Sequence, residues 1–315
     1  MRNKTIRVAP DSEEGKKYLD RCAAVTETLP ALDPVLDRTI LGDSFAVLPR
    51  LPSESVDLVI ADPPYNLDKQ YGTSSFHRMP AAEYEDFTRR WLTEVLRILK
   101  PEGSLYVCAD WQTGILLAPL LADMAILRSR ITWQREKGRG AAANWKNGLE
   151  DIWFATKSDR YTFHLDAVRQ RRRVLAPYRE SGVPKDWEET ADGRFRDTCP
   201  SNFWDDITVP FWSMPENTDH PAQKPEKLLA KLILASSSPG DMVLDPFAGS
   251  GSTCVTAKKL GRHYIGIERE PVYCCLCEKR LADAETDRRI QGYEDGVFWE
   301  RNSLRPSAGK TAGKK

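Results

Sequence analysis

The stretch VLDPFAGSGSTCVTAKKLGRHYIGIERE, residues 243–270, is the most informative part of the sequence. An apolar β-type run ends at Asp245, a turn with two glycines follows, and a helical pattern begins at Ser252 and continues to Lys259. A second β-type run ends at Glu268. A strand, a helix and a second strand in this order predict two parallel strands joined by a helical crossover.

The turn in this unit has the composition of a ligand site. Gly249 and Gly251 allow the backbone to approach a bound molecule, and the helix start at Ser252 and Thr253 favours a negatively charged group such as a carboxylate. Glu268, at the end of the next strand, suits a ribose diol. A plain strand-to-helix turn is the alternative. The dinucleotide pattern G-x-G-x-x-G is absent because its last position is not glycine, which argues against NAD.

The rest of the chain repeats this alternation of strands and helices. A helical pattern begins at Ala81 and stops at Pro101 and Gly103. We therefore predict an α/β fold, a doubly wound and mainly parallel sheet with helices on both faces. The predicted strands are 38–43, 56–61, 103–109, 129–134, 151–156, 241–245 and 263–268.

The composition excludes several classes of protein. The 315 residues are 41% hydrophobic, which is enough for a sizeable core, and no apolar run reaches the length of a membrane span. Seven irregularly spaced cysteines without an export signal predict a reducing cytoplasm. Cys274, Cys275 and Cys277 could suggest a metal, but they lack a second cysteine pair and follow a helical pattern, so packing is the preferred interpretation.

The charge is balanced overall and uneven locally. The chain has 46 basic and 46 acidic residues, whereas residues 127–180 contain 13 Lys/Arg against 6 Asp/Glu. Arg169, Arg171, Arg172 and Arg173 are therefore candidates for contacts with DNA, and a solvated surface is the alternative. The lysine-rich end of the chain, SAGKTAGKK, predicts a disordered tail.

A second motif, VDLVIADPPYN, follows a buried strand in the first half of the chain. Asp62 and the Pro63 carbonyl can accept the two hydrogens of an amino group on a base. Pro63 and Pro64 fix the backbone and offer no competing N–H. Tyr65 provides a ring on which a base can stack. The alternative is a Pro-Pro turn capped by an aspartate.

These motifs together resemble the β-class amino-group DNA methyltransferases, which use S-adenosylmethionine. DPPY (62–65) precedes DPFAGSG (245–251), the circularly permuted order of that class, and HPAQKP (220–225) precedes the helix that leads to the glycine loop. The stretch 138–157 also resembles the family sequence beside the catalytic pocket. The resemblance covers about residues 38 to 282 and implies a seven-stranded Rossmann-like sheet.

The resemblance also implies roles for single residues, each of which has an ordinary cap, turn or solvated charge as its alternative. Asp62 would contact both the reacting amine and the cofactor. Asp43 would bind the adenine of the cofactor and Glu268 its ribose. The remaining cofactor residues would be Asp245, Phe247, Gly249 and Gly251 around the methionine and ribose, and Ser252, Thr253, His220, Gln223 and Lys224 around the carboxylate.

The family implies methylation of a base that is flipped out of duplex DNA. Asp as the first residue of DPPY favours the N6 amine of adenine, and the N4 amine of cytosine is the alternative. An RNA-directed or non-catalytic nucleic-acid-binding relative also stays open. An Asn in this position would have indicated a protein-glutamine methyltransferase. Attack at a ring carbon would need a Pro-Cys pair, whereas Cys199 precedes Pro200. No metal is expected.

The resemblance also predicts the surroundings of the site. Residues 66–80 are expected to form a mobile loop over the base, with Phe76 and Trp145 as weaker candidates to line its path. A homodimer in a bacterial cytoplasm is expected, either an orphan enzyme or one with a separate restriction enzyme. The predicted segments are an N-terminal arm (1–37), a catalytic half (38–165), a target-recognition region (166–215), a cofactor-binding half (216–285) and a C-terminal tail (286–315).

Overall fold

A computed structural model describes most of the chain. The sequence SAGKTAGKK and the first residues of the stretch 138–157 lie outside the described part. The described residues are 3–135, 143–174, 179–190 and 193–300.

Within these ranges the chain forms seven α-helices and seventeen short or long strands. The helices are α1 Glu13–Leu19, α2 Ser44–Val47, α3 Ala81–Ile98, α4 Trp111–Met124, α5 Glu226–Ser236, α6 Ser252–Lys259 and α7 Pro271–Thr286. The strands are β1 Arg38–Leu41, β2 Val56–Ala61, β3 Lys69–Tyr71, β4 Ser74–Phe76, β5 Leu99–Ala109, β6 Ile126–Gln134, β7 Leu149–Thr156, β8 Gln170–Arg173, β9 Arg179–Glu180, β10 Val183–Pro184, β11 Glu188–Thr190, β12 Gly193–Thr198, β13 Phe203–Trp204, β14 Met242–Asp245, β15 His263–Glu268, β16 Tyr293–Glu294 and β17 Val297–Trp299.

The central sheet confirms the predicted Rossmann-like fold. Its order is β1-β15-β14-β2-β5-β7-β6-β13, and its pairs are parallel except for β7, which runs antiparallel to both of its neighbours. All seven predicted strands are present. The sheet has an eighth strand, β13, whose two residues are too short to show any alternation in sequence.

The strand order reverses between β14 and β2, at the centre of the sheet. From β2 the chain continues to β5 on one side, and from β14 it continues to β15 on the other. Ligands of doubly wound sheets bind beyond the carboxyl ends of the strands at such a point. Asp62 follows β2 and Asp245 ends β14, so the two motifs of the sequence meet there.

Both faces of the sheet are covered by helices. Val59 of β2 packs with α3 and α4 side chains such as Trp91, whereas its neighbours Leu58 and Ile60 pack with α5 side chains such as Leu228. Burying each of these side chains stabilises the fold by about 1.5–3 kcal/mol. Successive side chains of β2 are thus buried on opposite faces of the sheet, which holds the strand in place directly before Asp62.

Helix α3 ends earlier than the sequence predicts. It stops at Ile98, and β5 begins at once with Leu99. The register between β2 and β5 shifts at this point, because Val56 faces Leu99 while Leu58 faces Ser104. The intervening residues form a bulge, where a proline needs no ladder hydrogen bond.

The predicted recognition region contributes to a second sheet, with the order β11-β12-β8-β17-β16. Strands β16 and β17 lie in residues 286–315, which were predicted to form a C-terminal tail. Phe298 and Trp299 of β17 are buried, and β17 pairs in parallel with β8. Strands of two or three residues give no periodic signal, so the sequence did not reveal them.

The N-terminal arm packs on helix α7. Val8 is buried in a cluster with Tyr273 and Leu276, and the Cys275 Sγ donates to the Gly15 carbonyl at 3.4 Å. Cys274, Cys275 and Cys277 are buried free thiols on α7, as the packing interpretation predicted. Across the described ranges, no group of His, Cys, Asp or Glu side chains is arranged to hold a metal ion. None of the described helices is long and apolar enough to span a membrane.

Candidate active site

A cleft of about 720 Å³ opens at the carboxyl ends of the central strands. Its size is in the range of small-molecule and cofactor sites. The cleft is lined by every predicted catalytic and cofactor residue except Gly251, namely Asp43, Asp62, Pro63, Pro64, Tyr65, His220, Gln223, Lys224, Asp245, Phe247, Gly249, Ser252, Thr253 and Glu268. Residues from four separate parts of the sequence therefore share one cavity.

The two glycines of the loop have different surroundings. Gly249 has a φ of +52°, and a Cβ there would lie 2.8 Å from the His220 Nε2. Gly251 has a φ of +75°, and a Cβ there would lie 2.1 Å from the Cys277 Sγ on α7. Gly251 therefore allows α7 to pack against the loop, in contrast to its expected place in the wall of the cofactor pocket.

The carboxylates at the strand ends are held by backbone donors. The Gly249 and Glu270 N–H groups each donate to one oxygen of Glu268 at 2.8 Å. Burial raises the pKa of Glu268, and these backbone bonds oppose the shift. A carboxylate has about four acceptor sites, so Glu268 retains acceptor capacity for a ligand hydroxyl.

Asp43 and Asp245 also accept local backbone bonds. The Asp43 carboxylate caps α2 by accepting from the Phe45 N–H at 2.8 Å, and Asp245 accepts from the Phe247 N–H at 2.9 Å. Burial raises the pKa of Asp245 to about 7. Both side chains line the cleft, so the capping interaction and a contact with a ligand are compatible at each position.

The DPPY segment forms a compact ionic cluster with Lys224. The Lys224 Nζ lies 2.6 Å from the Asp62 Oδ2, and the Tyr65 hydroxyl donates to the Asp62 Oδ1 at 2.9 Å. Burial and the charge of Asp62 raise the pKa of Tyr65 well above its ordinary value. The sequence placed Lys224 beside the carboxylate of the cofactor, whereas the structure pairs it with Asp62.

Glu150 is a residue of the cleft that the sequence analysis missed. It is buried at the start of β7, with its Oε2 3.4 Å from the Lys224 Nζ and its Oε1 bonded to Arg135. Burial lowers the pKa of Lys224, but the charges of Asp62 and Glu150 outweigh it and raise the pKa. The available signal was a glutamate just before an apolar run, at the end of β7 that lies beside the cleft because β7 runs antiparallel to β5.

His220 and Gln223 are held in place by their own loop. Burial lowers the pKa of His220 to about 3, so the imidazole is neutral beside Gly249. The Gln223 Oε1 accepts from the backbone N–H and the hydroxyl of Thr218, both at 2.8 Å, and its Nε2 donates to the Glu216 carbonyl. The amide of Gln223 therefore shapes the HPAQKP loop.

The expected mobile loop 66–80 contains a hairpin, β3–β4, that is bonded to the far side of the cleft. The Thr73 N–H and hydroxyl donate to the Glu270 Oε2 at 3.0 and 2.8 Å, and the Ser74 hydroxyl donates to its Oε1 at 2.5 Å. The Gly72 N–H donates to the Tyr273 hydroxyl at 2.9 Å. The hairpin thus connects the segment after DPPY to the segment after Glu268.

The two aromatic candidates for the path of the flipped base differ in burial. Phe76 of this hairpin lines the cleft and is buried, whereas Trp145 is 93% exposed.

Three of the four candidate DNA-binding arginines are ion-paired to carboxylates. Arg169 bonds Asp166 at 2.8 and 2.9 Å, Arg171 makes two bonds of 2.7 Å to Asp197, and Arg172 lies 3.3 Å from Glu300. Arg173 is exposed on the same strand, β8. The four lie on the second sheet or directly before it, outside the cleft.

Comparison with known proteins agrees with this geometry. The DNA methylase family N6_N4_Mtase matches residues 56–279. The type II methyltransferase M.HpaI of Haemophilus parainfluenzae is 34% identical over 260 residues, which are 82% of this chain and 76% of that protein. The DNA adenine methyltransferase YhdJ of Escherichia coli (strain K12) is 37% identical over 284 residues, which are 85% of this chain and 92% of that protein. The chain therefore belongs to the N6/N4 DNA methylase family.

Solved structures share the fold. The cytosine-N4-specific PvuII DNA methyltransferase superposes with a TM-score of 0.58 at 20% identity, covering 84% of this chain and 93% of that chain. M1.HpyAVI, in its complex with SAM, superposes with a TM-score of 0.53 at 22% identity, covering 77% of this chain and 98% of that chain.

Proposed function

We propose that this protein transfers a methyl group from S-adenosylmethionine to the N6 amine of an adenine that is flipped out of duplex DNA. One observation carries the proposal. The DPPY segment and the glycine loop, which are far apart in sequence, form adjoining walls of the same cleft. A site for the target amine at DPPY and a site for the cofactor at the glycine loop would then adjoin each other, as methyl transfer requires.

The cofactor half of the cleft fits S-adenosylmethionine. Glu268 retains acceptor sites for the ribose hydroxyls, and the N-terminus of α6 at Ser252 and Thr253 attracts the methionine carboxylate. Asp43, which lines the same cleft, would bind the adenine of the cofactor. Neutral His220 adds no charge to the wall opposite Gly249. When bound, the cofactor supplies a methyl group that is activated by attachment to a sulfonium.

The catalytic half of the cleft holds the amine. Asp62 and the Pro63 carbonyl accept the two amino hydrogens and stabilise the positive charge that develops on nitrogen. The ion pair with Lys224 keeps the Asp62 carboxylate oriented. The Tyr65 hydroxyl is bonded to the same carboxylate, which fixes the ring on which the base stacks.

Two observations support adenine as the target. The motif begins with aspartate, and the E. coli relative, named a DNA adenine methyltransferase, matches over 92% of its length. Cytosine N4 is the second candidate because a structural neighbour is cytosine-N4-specific, although at 20% identity that likeness concerns the fold. A homodimer stays a prediction.

The direct test is methyl transfer from labelled S-adenosylmethionine to mixed-sequence duplex DNA, followed by nucleoside analysis. We expect N6-methyladenine, lost in Asp62→Ala and retained in the control Asp123→Ala, which removes an exposed carboxylate from α4. N4-methylcytosine in the product would contradict the choice of base. A parallel reaction uses RNA as the substrate, and label in the RNA but not in the DNA would contradict the choice of nucleic acid.

A further inference from the structure

Arg280 of α7 is a buried charged residue directly behind the glycine loop. It is 3% exposed. Its Nη1 donates to the Ser250 carbonyl at 2.8 Å and to the Ser252 Oγ at 2.9 Å, and its Nη2 donates to the Glu226 Oε1 at 2.9 Å. One rigid guanidinium thus bonds two residues of the loop and a third residue on α5.

We propose that Arg280 is a positioning residue for the carboxylate of S-adenosylmethionine and acts through the Ser252 hydroxyl. The proposal rests on the placement of that carboxylate at the start of α6. Arg280 itself lies behind the loop and does not line the cleft, whereas Ser252 does.

The hydrogen-bond inventory of Ser252 gives the mechanism. A serine hydroxyl has one proton to donate and two lone pairs to accept with. Arg280 occupies an acceptor site of the Ser252 Oγ, so the hydroxyl proton must point to another group. In the described part of the chain, no acceptor for that proton is found, and the open direction is the cleft. A ligand carboxylate in the cleft would supply the acceptor for the Ser252 hydroxyl proton.

The charges around Arg280 favour an anion. Glu226 accepts from Arg280 through one oxygen and from Lys259 through the other, at 2.6 Å. The Glu226 N–H donates to the Glu216 Oε2. Burial, together with the charge of Glu226, raises the pKa of Glu216 to about 7, so its carboxyl is partly protonated near neutral pH. Arg280 and Lys259 therefore share the carboxylate of Glu226, and the neighbouring Glu216 is only partly ionised.

The packing of α7 supports the same role. Cys277, one helical turn before Arg280, lies against Gly251, so α7 contacts the loop at two successive points. The loop conformation is thus set from behind by one helix.

The test compares two ligands with the same nucleoside. S-adenosylhomocysteine has the amino-acid carboxylate and ammonium, and 5′-methylthioadenosine lacks both. Of these two groups only the carboxylate can accept a hydrogen bond from the Ser252 hydroxyl. Calorimetry should show that Arg280→Met weakens binding of S-adenosylhomocysteine by about tenfold to a hundredfold, because the Ser252 hydroxyl is no longer aligned to bond the carboxylate. Binding of 5′-methylthioadenosine should change by no more than about twofold. Arg280→Lys should be intermediate, since one ammonium cannot reproduce the fork.

Controls separate the possible failures. Ser252→Ala should weaken the same ligand selectively, and adding Arg280→Met to it should have a much smaller further effect. Lys279→Met removes a cation from the other side of α7, where it bonds Glu14, and should change neither affinity. Equal losses for both ligands in Arg280→Met and Arg280→Lys would overturn the proposal. If Ser252→Ala changes the affinity for both ligands equally, the carboxylate does not bind at Ser252, and the proposal fails for that reason instead.

Discussion

The ammonium group of Lys224 lies between the carboxylates of Asp62 and Glu150, at 2.6 and 3.4 Å. Together with Arg135 these residues form a row of alternating charges that ends at Asp62, the proposed acceptor for the target amine. A buried charge that loses its partner is strongly destabilised. Lys224 is therefore assigned to the orientation of Asp62, and its effect is expected in the rate rather than in cofactor affinity.

Lys224→Met is expected to lower the single-turnover rate of methylation by about a hundredfold or more, because Asp62 loses the group that orients it. Affinity for S-adenosylhomocysteine should change by less than about threefold. Quenched-flow kinetics and calorimetry measure the two quantities. Lys100→Met, which breaks an ion pair with Asp57 away from the cleft, is the control. A large loss of affinity at an unchanged rate would return Lys224 to the cofactor carboxylate.

The pH dependence of stability should reveal the buried Asp245. Its pKa is about 3.9 in an unfolded chain, and burial raises it to about 7 in the folded protein. A raised folded pKa gives a stabilisation that is complete below pH about 4 and is lost as the pH rises through about 7.

Asp245→Asn keeps an acceptor oxygen for the Phe247 N–H and removes the ionisation, and the Thr253 hydroxyl can bond either the amide oxygen or the amide N–H. The ligand-free variant should therefore melt a few degrees above the unsubstituted protein at pH 8, with the difference shrinking towards pH 5. Calorimetric melting at several pH values measures this. Parallel melting curves over the whole pH range would show that Asp245 does not titrate as the structure indicates.

At the scale of elements, α7 and the glycine loop fit without space for a methyl group. Gly251→Ala should destabilise the fold by about 2–4 kcal/mol, because the new Cβ meets Cys277 and the left-handed backbone is strained. Gly261→Ala is the matched control: it has a φ of +73°, but nothing lies within 4 Å of its Cβ. Backbone strain alone should cost about 1 kcal/mol. Equal losses in urea unfolding would contradict the packing argument.

The β3–β4 hairpin is a second element whose position depends on one acid. Burial raises the pKa of Glu270, but the bonds from Ser74 and Thr73 outweigh it and lower the pKa. Glu270→Gln should weaken these charge-assisted bonds, so amide exchange in residues 69–76 and cofactor dissociation should each become severalfold faster. The control is Glu94→Gln, which weakens an ion pair with Arg97 within α3. Unchanged exchange would mean that other contacts hold the hairpin.

At the scale of the whole molecule, the charge distribution determines how DNA binding responds to salt. Arg171 is neutralised by Asp197, whereas Arg173 is exposed. Arg173→Ala should reduce the slope of log K against log salt by about 1 if it contacts a phosphate, and Arg171→Ala should leave the slope unchanged. Fluorescence anisotropy at several salt concentrations distinguishes them. Equal changes in slope would show that the Arg171 ion pair opens on binding.

The seven strands of the central sheet that were predicted, and the two motifs that meet in the cleft, were predictable from the sequence because they depend on local patterns. Apolar alternation in β2, the glycines after β14 and the prolines after Asp62 each act within a few residues. The parallel sheet then brings the two strand ends together at the point where the order reverses.

The pairing of side chains across the molecule was not predictable from the sequence and became known from the folded structure. Lys224 and Asp62 are 162 residues apart, Arg280 and Glu226 are 54 apart, and β17 joins a strand more than a hundred residues earlier. Such pairs depend on helix packing and on the desolvation of charges, which have no periodicity along the chain. The reacting motifs were therefore visible in the sequence, whereas the residues that orient them became visible only in the fold.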